Sequence, residues 1–484
     1  MISSQLNDTI AAIATPIGES GIGIVRISGK DALKIADKIF VSKDGKKPSG
    51  YKTYTTHYGW IVNKFLSSRV LELAKSDSRT HELTNSRTGI IDEVILTVMR
   101  APKSYTKEDI VEINCHGGIV ALREVLDLVL MKGCRLAEPG EFTKRAFLNG
   151  RIDLAQAEAV LDIIRAKTDA ALRMGTQQLK GTLSTQINKI RDALLDNLSL
   201  LEVNIDFPDE QIDTVNPKQI YEKLKTINTR LESLLHQAKQ GRIIREGINA
   251  VICGKPNVGK SSLLNALLKQ ERSIVTSVPG TTRDTIEEAI DIKGIPIKIV
   301  DTAGIIEPKD LIEKKAIQRS RRYIASADLV ILLFDGSKRL AKEDEMLINK
   351  LKQKTTLAII NKIDLKQKIQ RHRLLKRFNY VIDISAKKLK NIHLLEDAIV
   401  NLVYNGKLNA SSEPIMVSNF RHIEALRAAQ KLIAEALNSL DNKLSLEFIS
   451  QDIKEALIYL DELLGRKFCE DLLDRIFSDF CIGK

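Results

Sequence analysis

The sequence predicts a multidomain α/β and α+β chain, with an α/β domain inserted into a helical one that follows an N-terminal α+β domain. Three observations carry this. Residues Asp8 to about Leu148 mix short β-branched runs with glycine turns, residues 150–246 and 407–484 carry helical periods, and strand–loop–helix alternation fills the stretch between them. At 484 residues the chain is too long for one ordinary core. The borders follow from these changes of texture: 1–149, 150–246, 247–406 and 407–484.

In the first block, Ile22 to Ile27 and Glu93 to Val98 read as strands, and Leu122, Val125, Leu126 and Val129 share one helical face. Leu71 to Gly89 is polar and aperiodic, and reads as an exposed or disordered insertion. Helical spacing then runs from Asp153 to Ile205, ending at Asp206-Phe207-Pro208. A further helix carries Ile220, Leu224, Ile227, Leu231, Leu234 and Ala238 on one stripe. Near the C-terminus Leu446, Ile449, Ile453, Leu457 and Leu460 form another. The two helical parts pack either as one bundle around the insertion or as two separate domains.

Composition narrows the class. Hydrophobic residues make up 43%, with no unbroken apolar run of bilayer length and no charged-then-apolar leader at Met1 to Ile10. The five cysteines, Cys115, Cys134, Cys253, Cys469 and Cys481, show no paired spacing, which points away from disulfides and zinc and towards a reducing cytoplasm. The net charge of +12 suits a polyanionic partner such as RNA, or reflects a lysine-rich background, since the cations are spread along the chain.

The chemistry lies in the inserted block. The strand Ala250 to Cys253, the loop Gly254-Lys-Pro-Asn-Val-Gly-Lys-Ser261 and the helix from Ser262 match a phosphate-binding P-loop in its strand–loop–helix context. Backbone N–H groups of Asn257, Val258, Gly259, Lys260, Ser261 and Ser262 converge on phosphates there, and the helix N-terminus adds its positive pole. Lys260 would reach the terminal phosphates and the Ser261 hydroxyl would bind Mg²⁺. In Thr276-Ser277-Val278-Pro279-Gly280-Thr281-Thr282, Thr282 is the candidate second Mg²⁺ ligand and γ-phosphate sensor.

Asp301-Thr302-Ala303-Gly304 ends a strand, with Asp301 placed to hold Mg²⁺ through water and Gly304 to swing onto the γ-phosphate. Asn361-Lys362-Ile363-Asp364 ends another, and the Asp364 carboxylate accepts two N–H bonds that guanine offers and adenine does not. Ser385-Ala386-Lys387 closes the base pocket. Five elements in order on a Ras-like P-loop fold specify GTP rather than ATP. Ile305 stands where many GTPases carry a water-orienting glutamine, so either another group orients the attacking water or hydrolysis is slow.

The P-loop, Gly280-Thr-Thr-Arg-Asp284 and the terminal Cys481-Ile-Gly-Lys484 together resemble the MnmE (TrmE) family of tRNA-modification GTPases. So do Asp8-Thr-Ile10, Gly21-Ile-Gly-Ile-Val-Arg-Ile-Ser-Gly29, His116-Gly-Gly118, Pro139-Gly-Glu-Phe-Thr-Lys-Arg-Ala-Phe-Leu-Asn149, Asp153-Leu-Ala-Gln-Ala-Glu158 and Asp206-Phe-Pro-Asp-Glu210. The resemblance covers almost the whole chain apart from the polar insertion.

It implies a homodimer with an N-terminal tetrahydrofolate-binding and dimerisation domain, and K⁺-dependent GTP hydrolysis that drives G-domain dimerisation. It also implies a flavoprotein partner, MnmG, with which the family adds a carboxymethylaminomethyl or aminomethyl group to C5 of the wobble uridine of certain tRNAs. A 5-formyl or methylene tetrahydrofolate would supply the one-carbon unit. By position, Asn257, Thr276, Val278 and Thr281 would ligate K⁺, and Glu313 would organise the attacking water. Arg26, Glu112, Arg151 and Lys484 would contact folate, Arg151 replacing the family's lysine with a fork of different geometry.

Cys481 is either chemically active or a small, semi-buried hydrophobe. His116-Gly-Gly118 is similar to an oxyanion-hole motif, but without a nucleophile elbow it reads as a tight turn near the folate site. A GTP-gated RNA-binding or ribosome-assembly factor stays open as an alternative, as does a purely structural N-terminal domain.

Overall fold

The computed structural model describes residues 7–63, 89–206, 217–270, 288–301, 323–404 and 417–484. The polar insertion expected at Leu71 to Gly89 lies outside them, save its last residue. The described chain forms two compact units, Met1–Leu161 with Leu464–Lys484, and Asp162–Leu463. The borders at 149/150 and 406/407 mark changes of sequence texture, and the compact units divide elsewhere.

The first unit is built on a seven-stranded sheet. Its strands are β1 (Ile10–Ile13), β2 (Gly23–Ser28), β3 (Phe40–Ser42), β4 (Thr55–Val62), β5 (Ile90–Met99), β6 (Ile110–Cys115) and β7 (Arg135–Leu136), in the order β3-β4-β5-β6-β2-β1-β7. Alternation sends Val94, Leu96 and Val98 of β5 inward with Val25, Ile27, Val111 and Ile113. Helices α1 (Ala32–Ile39) and α2 (Ile119–Met131) cover that face; of the expected stripe Leu122, Val125 and Val129 are buried and Leu126 is partly buried.

A second cluster joins α3 (Glu141–Leu148) and the start of α4 (Leu154–Arg165) to a C-terminal helix (Glu470–Ser478). Phe147, Leu154, Leu473, Phe477 and Phe480 form its core. The last residues of the chain therefore belong to the N-terminal unit.

The second unit holds α5 (Asp169–Leu179), α6 (Thr182–Asp206) and α7 (Pro217–Glu246), then a six-stranded sheet. Its strands are β8 (Ile248–Gly254), β9 (Glu288–Ile292), β10 (Ile295–Asp301), β11 (Leu329–Asp335), β12 (Thr356–Asn361) and β13 (Val381–Asp383), in the order β13-β12-β11-β8-β10-β9. All pairings are parallel except β9–β10. Leu329 to Phe334 is unbrokenly apolar because a central parallel strand is covered on both faces.

After the sheet come α12 (Phe420–Asp441) and α13 (Leu446–Leu464), which follow α8 (Lys260–Gln270), α9 (Lys342–Lys350), α10 (Arg371–Leu375) and α11 (Ile392–Val403). Helix α12 packs along α7, where Gln430 Nε2 donates to Asn228 Oδ1 over 3.0 Å, and Arg191 of α6 pairs with Asp461 of α13 at 2.6 Å. One bundle, rather than two separate helical domains, surrounds the insertion. Among the described residues no helix is long and apolar enough to cross a membrane.

Candidate nucleotide site

Strand β8 lies between β10 and β11 and delivers its C-terminal end to the P-loop. The loop turns through left-handed conformations at Gly254 (φ 150°), Asn257 (φ 62°) and Gly259 (φ 103°). Glycine is required twice by close approach. A Cβ at Gly254 would lie 2.6 Å from the Leu333 carbonyl, and one at Gly259 would lie 2.3 Å from Asn361 Nδ2. The buried Lys260 ammonium donates to the carbonyls of Gly254 and Lys255, 3.0 Å each, which draws the loop around its own lysine. Ser261 and Ser262 are exposed in the first turn of α8, where free backbone N–H groups favour an anion.

Asn361 fastens this loop to the segment Asn361-Lys-Ile-Asp364, where the sequence predicts base reading. Its Nδ2 donates to the Val258 carbonyl over 2.8 Å, while its Oδ1 accepts from the N–H groups of Lys362 at 2.8 Å and Ala386 at 3.0 Å. Lys362 (φ 67°) extends its ammonium to the Asn257 carbonyl and to Asp335 Oδ2, both at 2.7 Å. Burial raises the Asp335 pKa, but hydrogen bonds from Lys362 and Ser337 outweigh it and hold the carboxyl below its ordinary range. Sequence reasoning misses Asp335, although the signal is visible: the apolar strand β11 ends in an acid before Gly336.

Asp364 is exposed, and the Ser385 hydroxyl donates to its Oδ1 over 2.6 Å. That bond holds the Asp364 carboxyl below its ordinary range. Ser385 Oγ also accepts from the Lys388 N–H at 3.2 Å, and Ile363 is tied to Ile384 by a backbone bond of 3.1 Å. The structure thus brings together Asn257, Val258, Gly259, Lys260, Asn361, Lys362, Asp364, Ser385 and Ala386, with Lys387 beside them. Asp301 closes β10, in register with Ile252 of β8 and so at the same end of the sheet as the P-loop. Thr276 to Thr282, Thr302 to Gly304 and Glu313 lie outside the described residues.

The predicted folate residues sit in the first unit. Arg26 on β2 faces Glu112 on β6, Nε to Oε1 2.8 Å, and its Nη1 donates to the Gly483 carbonyl over 3.0 Å. The terminal segment is held by backbone bonds from Gly140 to the Cys481 carbonyl (3.3 Å) and from Phe142 to the Lys484 carbonyl (3.2 Å). Gly483 lies at φ 94°, and a Cβ there would lie 2.3 Å from the Ile13 carbonyl, so both conformation and space require glycine. The Arg151 guanidinium lies 4.8 Å from the centre of the Tyr105 ring, and the Tyr105 hydroxyl shares a 2.9 Å bond with Thr143 Oγ1. Burial pushes the Tyr105 pKa up, opposed by the Thr143 bond and the charges of Arg151 and Arg26.

Cys481 is exposed, which removes its reading as a semi-buried hydrophobe. His116 is no oxyanion donor. Its N–H and its Nδ1 both bond Asp92, at 2.8 and 2.7 Å, and a Cβ at Gly117 would lie 1.9 Å from Ser20 Oγ, as expected of a closely packed turn.

A family model described as the MnmE helical domain matches residues 154–481, and one described as the GTP-binding protein TrmE N-terminus matches residues 9–151. This chain belongs to the MnmE family of tRNA modification GTPases. The tRNA modification GTPase MnmE of Clostridioides difficile (strain 630) is 46% identical over 99% of this chain and 100% of its own length. That of Bacillus subtilis (strain 168) is 43% identical over the same shares. A crystal structure of Aquifex aeolicus Era bound to GDP·AlF4⁻ is 28% identical over 38% of this chain and 66% of that one, with a TM-score of 0.28.

Proposed function

We propose that this GTPase acts in tRNA modification as a Mg²⁺- and K⁺-dependent homodimer, and that with the flavoprotein MnmG it adds a (carboxymethyl)aminomethyl group to C5 of the wobble uridine. Membership of the family supports GTP hydrolysis and work on tRNA. The observation that carries the nucleotide part is the three-way bonding of Asn361 to Val258, Lys362 and Ala386, which ties the phosphate loop to the guanine-reading loop.

The donor set fits hard cations. A hydroxyl at Ser261, and a side-chain amide oxygen at the exposed, left-handed Asn257, are the oxygen ligands that Mg²⁺ and K⁺ take. Thr282 would complete the Mg²⁺ ligands, and Thr276, Val278 and Thr281 those of K⁺. Bound there, the cations supply positive charge beside the transferring phosphoryl group, where other GTPases use an arginine worth roughly 10³–10⁵ in rate. Lys260 positions the terminal phosphates, Asp364 selects guanine, and Glu313 orients the attacking water that Ile305 cannot.

In the first unit, the guanidinium groups of Arg26 and Arg151 suit the carboxylated tail of a tetrahydrofolate, and the Glu112 carboxylate suits a ring with N–H donors. Cys481, exposed on the segment held against Arg26, is assigned a chemical role in the modification, with Lys484 beside it. GTP turnover in KCl and in NaCl at equal ionic strength tests the cation assignment. Turnover is faster in KCl, and Asn257→Ala removes the difference; equal rates in wild-type protein contradict it.

A further inference from the structure

Two adjoining clefts of about 180 and 290 Å³ open on the second unit behind the P-loop, and both are lined by Leu340. One is walled by the P-loop residues Lys255, Pro256 and Val258 and by Lys338 and Arg339 of the turn between β11 and α9. The other is walled by Arg373, Lys376 and Arg377, on and just after α10. These cations, spaced out in sequence, are gathered onto one surface by the parallel order β11-β12-β13. The segment 366–377 supplies six Lys and Arg (Lys366, Lys368, Arg371, Arg373, Lys376, Arg377) and no acid, and Arg371 is the one of them paired with Asp383 at 3.0 Å.

Lys338, Arg339, Arg373, Lys376 and Arg377 are exposed, and have no side-chain partner among the described residues. The acids nearby are mostly committed. Asp335 takes Lys362 and Ser337, and Asp344 takes Lys255 at 2.6 Å and the Ala341 N–H at 2.9 Å, which leaves Glu345 on the cleft wall. Phe334, which lines the first cleft, is buried and offers no face for a base to stack on.

We propose that this surface docks the phosphodiester backbone of RNA on the G domain itself, against the back of the phosphate loop. Exposed, unpaired Lys and Arg on two separate elements match a run of phosphates. The cores of protein interfaces are instead depleted of charge, which disfavours an acidic protein as occupant. Contacts from these cations to phosphates position the RNA and carry no sequence information of their own. The inference rests on tRNA being the substrate, and adds where on the chain it is held.

The test uses the full chain and a fluorescein-labelled tRNA transcript, titrated by anisotropy at several KCl concentrations. Replacing Lys338, Arg339, Arg373, Lys376 and Arg377 together by alanine weakens binding at least about tenfold. It also flattens the dependence of log affinity on log salt by roughly one unit for each phosphate that is no longer neutralised. Binding of a fluorescent GDP reports that the variant is folded. If it is not, the pair Lys338→Glu and Arg339→Glu, confined to an exposed turn, serves the same comparison. Wild-type binding that the variants retain, with an unchanged salt slope, overturns the surface alone and assigns these cations to another partner. A wild-type chain that binds no RNA overturns the surface together with the tRNA reading.

Discussion

Asn361 Nδ2 lies 2.8 Å from the Val258 carbonyl, so one buried amide joins the loop proposed to read the base to the loop proposed to hold the phosphates. Asn361→Ala leaves that carbonyl and the N–H groups of Lys362 and Ala386 without their partner. Each buried group so exposed costs about 1–3 kcal/mol. GTP affinity, read with a fluorescent analogue, falls by about one to two orders of magnitude. Gly259→Ala has the same outcome by the opposite route, since its Cβ pushes on Asn361 Nδ2 in a backbone conformation at φ 103° that alanine resists.

Asp364→Asn exchanges guanine for xanthine preference. A carboxylate accepts both N–H bonds of guanine, whereas an amide accepts one and donates one, as a 2-oxo purine requires. GTP affinity drops on the order of 10⁴-fold, and xanthosine triphosphate binds better than GTP. Ser385→Ala, which removes the 2.6 Å bond that aims the carboxylate, costs about tenfold in GTP affinity and leaves the base preference intact. Competition titrations with the two nucleotides check both.

Much of this site is legible in sequence because each motif serves a backbone position: glycines where a Cβ would collide, polar residues where strands end at the carboxyl edge of the sheet. Asp335 shows in the sequence only as the acid that ends an apolar strand; that it holds Lys362, an ion pair between two strands, is set by strand order and not by any local pattern. The clustering of Lys338 and Arg339 with Arg373, Lys376 and Arg377 is hidden for the same reason, since strand order, not sequence distance, brings them together. The helical stripes are enough to expect the helices, whereas their union in one bundle is seen only in the packing of α12 along α7. That residues 464–484 pack with the N-terminal unit follows from Phe477 and Phe480 burying against Phe147, which periodicity alone does not specify.

Acid weakens the first unit. Arg145 is 1% exposed and bonds Glu108, Glu141 and the Asp8 side chain and carbonyl. Burial pushes the Asp8 and Glu141 pKa values up, but bonds from Arg135 and Arg145 prevail and hold both below the ordinary range. Because the folded pKa values are depressed, the stabilisation is complete above the unfolded values, about 3.9 and 4.3, and is lost as pH falls through the folded ones. Arg145→Met costs about 3–5 kcal/mol at neutral pH. Thermal denaturation shows the gap between wild type and variant closing below about pH 4.

Arg26→Ala removes the partner of Glu112 and the donor to the Gly483 carbonyl. Binding of a tetrahydrofolate derivative, followed by calorimetry, weakens about tenfold or more, while GTP turnover stays at the wild-type rate. Unchanged folate affinity contradicts the assignment of this residue and favours a structural role for the domain.

The most direct test is nucleoside mass spectrometry of tRNA from cells lacking their own modification GTPase, with and without this gene. Restoration of the modified wobble uridine, lost again with Asp301→Ala, is the predicted result and ties the modification to the GTP cycle. Unmodified uridine, with the host's flavoprotein present and this protein soluble, contradicts the account.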